Sequence, residues 1–223
     1  MTNIFLRHLT IACLILSSTI AVADSEFSVW KGPSFRATQV VYDAKSPSEA
    51  QKGDVYVSKD GLKMITGGIP GPNGMRASSM IVIVKGIESY LVIPDLKLYI
   101  DQKSGAGDTK MEVDNVTGIF SPAPCLNFKY SHSLGVVTLN QRQMEKWRCG
   151  NQPGVGDVIH YMDKELKCVV RSESGTGHIV ELRDIALVAI PKDTFDIPKD
   201  YRKGTMNDLF QNPQSLPAYK KDK

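Results

Sequence analysis

The stretch DVYVSKDGLKMIT, from Asp54 to Thr66, decides the fold. Two runs rich in β-branched and aromatic residues, VYV and LKMIT, flank the turn tripeptide KDG. Asp-Gly between two such runs is a strong signal for a β-hairpin. The sequence therefore predicts two antiparallel strands, Asp54–Ser58 and Leu62–Thr66, joined by a tight turn.

Further runs of the same kind lie on both sides of this hairpin. The stretch GGIPGPNGM, residues 67–75, predicts a loop, because proline lacks a backbone donor and glycine weakens strands. No long segment after residue 24 shows helical periodicity, which argues against a parallel βαβ architecture. We therefore expect a mainly β protein, in which a closed barrel, a sandwich and an open half-barrel are all compatible with the pattern. The other predicted strands are Phe35–Ala44, Met80–Val84, Tyr90–Ile93, Lys97–Asp101, Met144–Cys149, Val158–Met162, Lys167–Ser172 and His178–Val188.

Alternation separates the two faces of the predicted strands. Apolar residues two positions apart share one face of a strand, and Lys63, Lys97 and Asp101 fall on the opposite faces. One face of the sheet is therefore apolar and has to be covered by more sheet, by a small helix or by an apolar ligand. Methionines on it suit a site that adapts to varied apolar partners, with ordinary core packing as the alternative. The candidate ligand-binding residues on this face are Leu62, Met64, Met80, Val82, Leu98 and Ile100.

The first 23 residues have the features of a cleavable secretory signal. Arg7 precedes the apolar run IACLILSSTIAV, and the small residues AVA stand ahead of Asp24. The apolar run is shorter than the about 20 residues that a transmembrane helix needs, so we expect a product that does not span the membrane after signal cleavage. We expect a signal peptide over 1–23, a β domain over 24–205 and a polar tail over 206–223, with acylation at Cys13 as the alternative.

Composition and motifs argue against several function classes. The 27 lysine and arginine residues nearly balance 24 aspartate and glutamate residues, which disfavours a nucleic-acid partner. His132, His160 and His178 have no partner at metal-ligand spacing, and neither a G-x-S-x-G elbow nor a phosphate loop occurs. We therefore expect no catalysis, no metal and no other cofactor. A nucleophile pair of Cys149 and His160 is the enzyme hypothesis that merits a test.

Three cysteines remain once the signal is removed, namely Cys125, Cys149 and Cys168. In an oxidising compartment two of them are expected to pair. Cys149 and Cys168 lie on the first and third strands of a predicted meander, too far apart for disulfide geometry. We therefore predict a bridge between Cys125 and Cys149. Three reduced, buried thiols are the alternative.

The order of several segments resembles a known family. Over about Phe35 to Lys203 the chain resembles the DUF4412-type exported bacterial proteins, whose function is unassigned. The segments that carry the resemblance are GDVYVS at 53–58, VIV at 82–84, YLVIPD at 90–95, KLYI at 97–100, EKW at 145–147, ELRDI at 181–185 and FDIPKDYRK at 195–203.

That family in turn resembles the LolA- and LolB-like periplasmic lipoprotein carriers. The resemblance implies a single antiparallel sheet curled into an open half-barrel, with one or two short helices. It also implies a concave apolar surface able to hold acyl chains, in which each buried CH₂ contributes about 0.8 kcal/mol. Gly32 and Pro33 interrupt the mature start, so the long N-terminal helix of the carriers is not expected here.

The expected function is a periplasmic binding or carrier protein that holds a lipid or another hydrophobic small molecule. The alternative is a non-enzymatic interaction or structural protein of the envelope, whose β core is filled by its own side chains and whose partner is an envelope protein. The periplasm is the expected location, with secretion as the alternative.

Overall fold

The structure, a computed structural model, describes residues 30, 32–67, 79–86, 88–101, 120, 123–125, 128–150, 156–205 and 207–208. The expected signal peptide, residues 68–75 of the expected loop and most of the expected polar tail lie outside the described residues. The domain boundaries therefore stay predictions. Within the described part, no helix is long and apolar enough to cross a membrane.

Among the described residues, twelve strands form one sheet. Their bounds are β1 Phe35–Asp43, β2 Ser46–Ser58, β3 Gly61–Gly67, β4 Ser79–Lys85, β5 Glu88–Ile93, β6 Leu98–Asp101, β7 Tyr130–Leu139, β8 Arg142–Gly150, β9 Val158–Asp163, β10 Cys168–Ser174, β11 His178–Leu187 and β12 Arg202–Gly204. Two 3₁₀ turns, Pro94–Leu96 and Lys192–Phe195, and a helical pair at 207–208 are the helical structure of the described residues.

The order across the sheet is β12-β6-β5-β4-β3-β2-β1-β11-β10-β9-β8-β7. Because β12 and β7 are edges that do not meet, the sheet is open. The prediction of a mainly β protein built on a single open sheet is confirmed. One pair departs from the antiparallel pattern, since β12 runs parallel to β6. A parallel pair needs a crossover, and the chain between β11 and β12 supplies it.

The hairpin read from the sequence is present. Val57 lies opposite Leu62 and Ser58 opposite Gly61, so the turn closes over Lys59 and Asp60. A Cβ at Gly61 would lie 2.7 Å from the Val84 carbonyl oxygen and 2.9 Å from the Phe195 ring. Glycine at position 61 therefore also leaves room for the Val84 carbonyl and the Phe195 ring.

One face of the sheet packs on itself. A single buried cluster on this face draws on residues from β1–β4 and from β8–β11, on both sides of the β1–β11 pair. Strands this distant in the sheet order share a core because the sheet curls about that face. We call it the inner face; its buried members are Phe35, Ala37, Val55, Val57, Leu62, Met64, Val84, Phe120, Met144, Tyr161, Leu166, Cys168, Val170 and Leu182.

The opposite face of β3–β6 is also apolar, which the alternation pattern did not predict. Ile83 and Val92 are buried there beneath Phe195, and Ile190, Ile197 and Tyr201 pack beside them. The segment 190–201, which we call the strap, thus covers the outer face of these strands. Lys63 lies on this side, as predicted, paired across the sheet with Ile83.

The predicted strands needed several corrections. Strand β7 and strand β12 were not predicted, and β2 begins at Ser46 rather than Asp54. Lys97 is not in a strand, because its backbone is left-handed (φ 46°) and ends the 3₁₀ turn before β6. The missed segments carry serine, glycine or charged residues, so they lack the β-branched alternation that marks a strand.

Candidate functional site

An uninterrupted apolar row crosses the strands β3, β4, β5 and β6. Met64 lies opposite Val82, Val82 opposite Leu91, and Leu91 opposite Ile100. Directly opposite residues point to the same side of a sheet, so these four side chains form one row on the inner face. A second pair, Ile93 opposite Leu98, lies beside it. The candidate residues predicted from alternation therefore do share a face.

Those six candidate residues differ in accessibility. Leu62 and Leu98 are fully buried, and Met64 and Ile100 are nearly so. Met80 and Val82 are only half-buried. Val82 packs against both inner clusters, the one around Leu62 and the one formed by Leu91, Ile93, Leu98 and Ile100. Met80 and Val82 are therefore the members of the set that can meet another molecule without a rearrangement of the core.

Two clefts are found elsewhere among the described residues. One, of about 240 Å³, lies by the start of β1 and the end of β2 and includes Arg36, Asp54 and Asp184. The other, of about 170 Å³, lies between the start of β8 and the middle of β10 and β11. Both are smaller than the roughly 300 Å³ at which small-molecule sites begin. Neither is lined by the six candidate residues.

The predicted disulfide is present. Cys125 and Cys149 are bonded, with 5.4 Å between their Cα atoms. The bridge ties the residues around Cys125 to β8, 24 positions along the chain. Cys168 is the free cysteine among the described residues, and burial raises the pKa of its thiol. A buried thiol with a raised pKa is a poor nucleophile, so Cys168 is a core residue.

Cys149 and His160 are neighbours, as the enzyme hypothesis required. The Sγ of Cys149 lies 3.6 Å from Nδ1 of His160. That sulfur, however, is bonded to Cys125, and Nδ1 of His160 donates to the Pro124 carbonyl, which can only accept. Burial lowers the pKa of His160, and the bond to Pro124 opposes this in part. While Cys149 is bonded to Cys125, His160 packs beside the disulfide and the pair has no free thiol to act as a nucleophile.

Buried charges concentrate on β9, β10 and β11. Glu181 is buried and accepts hydrogen bonds from both Arg171 and Arg183. Arg171 also donates to Glu173 over 2.6 Å and to the Tyr42 hydroxyl over 3.3 Å. These charged residues were not predicted to meet, because charges on neighbouring strands look like ordinary solvated positions until the register is known.

A second buried carboxylate closes the β9–β10 turn. Asp163 accepts the backbone N–H groups of Glu165 and Leu166, and Nε of Arg142 donates to it over 2.5 Å. Burial acts to raise the pKa of Asp163, but the Arg142 guanidinium and the two N–H groups outweigh it and lower that pKa. No group of three or more potential metal ligands occurs in the described part of the chain.

Comparison with known proteins supports the fold. No family model matches the chain and no curated protein matches it, so membership of the DUF4412 type stays a prediction. An uncharacterized conserved protein from Thermus thermophilus is similar in structure, with a TM-score of 0.51 and 12% identity over 81% of this chain and 93% of that one. At such identity the likeness concerns the fold alone.

Two further solved structures are more distant. The LolA superfamily protein NE2245 from Nitrosomonas europaea has a TM-score of 0.34 and 10% identity over 74% of this chain and 90% of that one. The MucA/MucB complex of Pseudomonas aeruginosa has a TM-score of 0.47 and 9% identity over 79% of this chain and 60% of that one.

Proposed function

We propose that this protein is a periplasmic binding protein that holds a lipid or a similar hydrophobic ligand against the inner face of β3–β6. The observation that carries the proposal is the apolar row Met64, Val82, Leu91 and Ile100, which crosses four strands of an open sheet. No charged side chain interrupts this row. An acyl chain that meets the accessible part of this face, at Val82 and the neighbouring Met80, gains about 0.8 kcal/mol for each CH₂ that leaves water.

In this proposal the ligand contacts the half-buried pair Met80 and Val82. Both side chains retain accessible surface while their neighbours in the row are buried. Methionine adapts its shape to irregular apolar partners because it is unbranched and has three rotatable bonds. A ligand at this position extends the cluster of Leu91, Ile93, Leu98 and Ile100 without displacing it.

The cysteine chemistry supports an exported protein. The bond between Cys125 and Cys149 persists in oxidising compartments such as the periplasm and is rare in the cytosol. No catalytic step belongs to this proposal, because Cys149 is bonded and the buried charges are paired with one another. The ligand is bound and released unchanged.

Titration with a fluorescent fatty acid tests the proposal. Met80→Lys introduces a charge beside the row and is expected to weaken binding about tenfold or more. Met80→Leu keeps the volume and the apolar character and is expected to bind like the wild type. Because position 80 is half-buried, the lysine can extend to water and the variant remains folded. Equal affinity for all three proteins would refute a site at Met80.

A second candidate function rests on the burial of Leu62 and Leu98. Both side chains have no exposed surface, so much of the inner face is filled by the chain itself. An envelope interaction or structural protein with a self-filled core has this property without a ligand. This alternative predicts a protein that purifies free of lipid, fails to bind the fluorescent fatty acid and retains its stability after extraction with organic solvent.

A further inference from the structure

The two edges of the sheet differ in how they meet solvent. The edge strand β12 is three residues long and carries Arg202 and Lys203. The other edge strand, β7, is ten residues long, pairs with β8 alone among the described strands and has no Lys, Arg, Asp or Glu. Short, charged edges resist pairing with other chains, whereas long, uncharged edges accept it. The strand β7 therefore lacks the protection that β12 has.

Apolar side chains are exposed along β7. Val136 is 57% exposed, Tyr130 45% and Leu134 37%. A bulge between Ser133 and Gly135 interrupts the register with β8, and the five residues Gly135–Leu139 beyond it pair regularly. Bulges protect an edge locally, so the regular half is the part of β7 open to another strand.

We propose that Gly135–Leu139 pairs antiparallel with the same segment of a second copy of this chain, with the two-fold axis at Val137. The segment complements itself: Gly135 then lies opposite Leu139, and Val136 lies opposite Thr138. Small residues meet large ones, β-branched residues meet each other, and no like charges are brought together. This pairing is independent of whether the inner face holds a ligand.

Symmetric pairing explains the exposure pattern within the segment. Val137 and Leu139 are partly buried against the inner cluster, while Val136 and Thr138 point to the other side. In the dimer, Val136 and Thr138 of both copies form one four-residue group on that side. A single edge contact is a small interface, so the dissociation constant is expected at about 10 to 100 μM.

Sedimentation velocity over a concentration series tests the pairing. The wild type is expected to dimerise. Val136→Lys places a charge on the edge and raises the dissociation constant about tenfold or more, while Val136→Thr, which keeps the β-branched shape, leaves it nearly unchanged. Val136 is exposed, so neither change threatens the fold.

Cysteine crosslinking tests the position of the axis. Val137→Cys lies opposite its own copy and is expected to form a covalent dimer under mild oxidation. Ser133→Cys is also exposed on β7 but lies across the bulge and opposite Trp147, so it is the matched control and is expected to remain monomeric.

Several results would overturn the proposal. They are a wild type that stays monomeric to about 200 μM, a Val136→Lys variant that dimerises like the wild type, and a Ser133→Cys variant that crosslinks as fast as Val137→Cys. A monomer that instead binds a strand of another envelope protein through β7 equally rejects a second copy as the occupant.

Discussion

The two wings of the sheet are stabilised by different physics. The first wing, β2–β6, has buried apolar clusters on both faces of β3–β6, and the charged pairs that attach the strap to it, such as Lys85 with Asp196, lie at the surface. The second wing, β7–β11, contains the disulfide and the buried carboxylates Asp163 and Glu181. Apolar contacts are non-directional, so a hydrophobic ligand can replace other apolar groups against the first wing. Directional pairs fix the second wing in one arrangement.

This difference assigns the proposed ligand to the first wing. A hydrophobic molecule there replaces water against Met80 and Val82 and breaks no polar contact. In the second wing a ligand would have to compete with guanidinium–carboxylate bonds that are already formed around Glu181. Substitutions in the two wings are therefore expected to change stability by different amounts.

Truncation of Phe195, the buried aromatic residue of the strap, is expected to have the largest effect on the free energy of unfolding. Phe195 is 1% exposed and packs on Ile83 and Val92. Phe195→Ala leaves a cavity on the outer face and should lower the free energy of unfolding by about 4 kcal/mol. Urea denaturation measures it. Phe195→Leu, which keeps most of the apolar contact, should lose clearly less; an equal loss would mean that packing is not what holds the strap.

Loss of the disulfide comes next. The Cys125→Ser, Cys149→Ser double variant releases a loop of 24 positions and should lose about 3 kcal/mol of unfolding free energy. The same loss should appear in the wild type on addition of a reductant, and reductant should leave the double variant unchanged. If Phe195→Ala and the double variant destabilise additively, the two wings act independently, as expected for distant sites.

The buried ion pair is expected to contribute less. Arg171→Met removes one partner of Glu181 while Arg183 remains to pair with it, so the expected loss is about 2 kcal/mol rather than the larger cost of an unpaired buried carboxylate. The exposed pair of Lys97 with Asp200 is the control, and Lys97→Gln should leave the urea midpoint nearly unchanged. Similar losses of unfolding free energy in Arg171→Met and Lys97→Gln would mean that buried charge pairs do not distinguish the second wing from the first.

A pH effect at His160 is expected to be the smallest. Burial lowers the pKa of His160 in the folded protein, so the unfolded chain binds the proton more tightly. Stability should therefore fall as pH drops below about 6.5, the ordinary histidine value, towards the lowered pKa. Urea midpoints at several pH values would show this slope. His160→Gln should flatten it, and a slope unchanged in that variant would assign the proton to another group.

Local patterns predicted the parts of the molecule that depend on neighbours in the chain. The KDG turn fixed the β2–β3 hairpin, and the strand order around Cys149 and Cys168 excluded their pairing, which left Cys125 as the partner. Alternation also placed Met64 and Ile100 on one face. These inferences need only the period of a strand and the distance between strands.

What the sequence did not reveal depends on contacts between distant segments. Phe195 reads as part of a loop, and only the crossover to β12 shows that it covers Ile83. Glu181 and Arg171 look like surface charges until the β10–β11 register places them opposite each other. The edge strand β7 was missed because serine, histidine and glycine break the pattern that identified the other strands.

Native mass spectrometry of the wild type, purified without detergent, tests the central claim most directly. A ligand on the inner face of the first wing predicts a population heavier than the protein alone by the mass of an acyl-chain lipid. Organic extraction should remove that mass, and Met80→Lys should purify without it. A wild type that shows only the mass of its own chain, before and after incubation with lipid vesicles, would contradict the claim and leave a self-filled β protein.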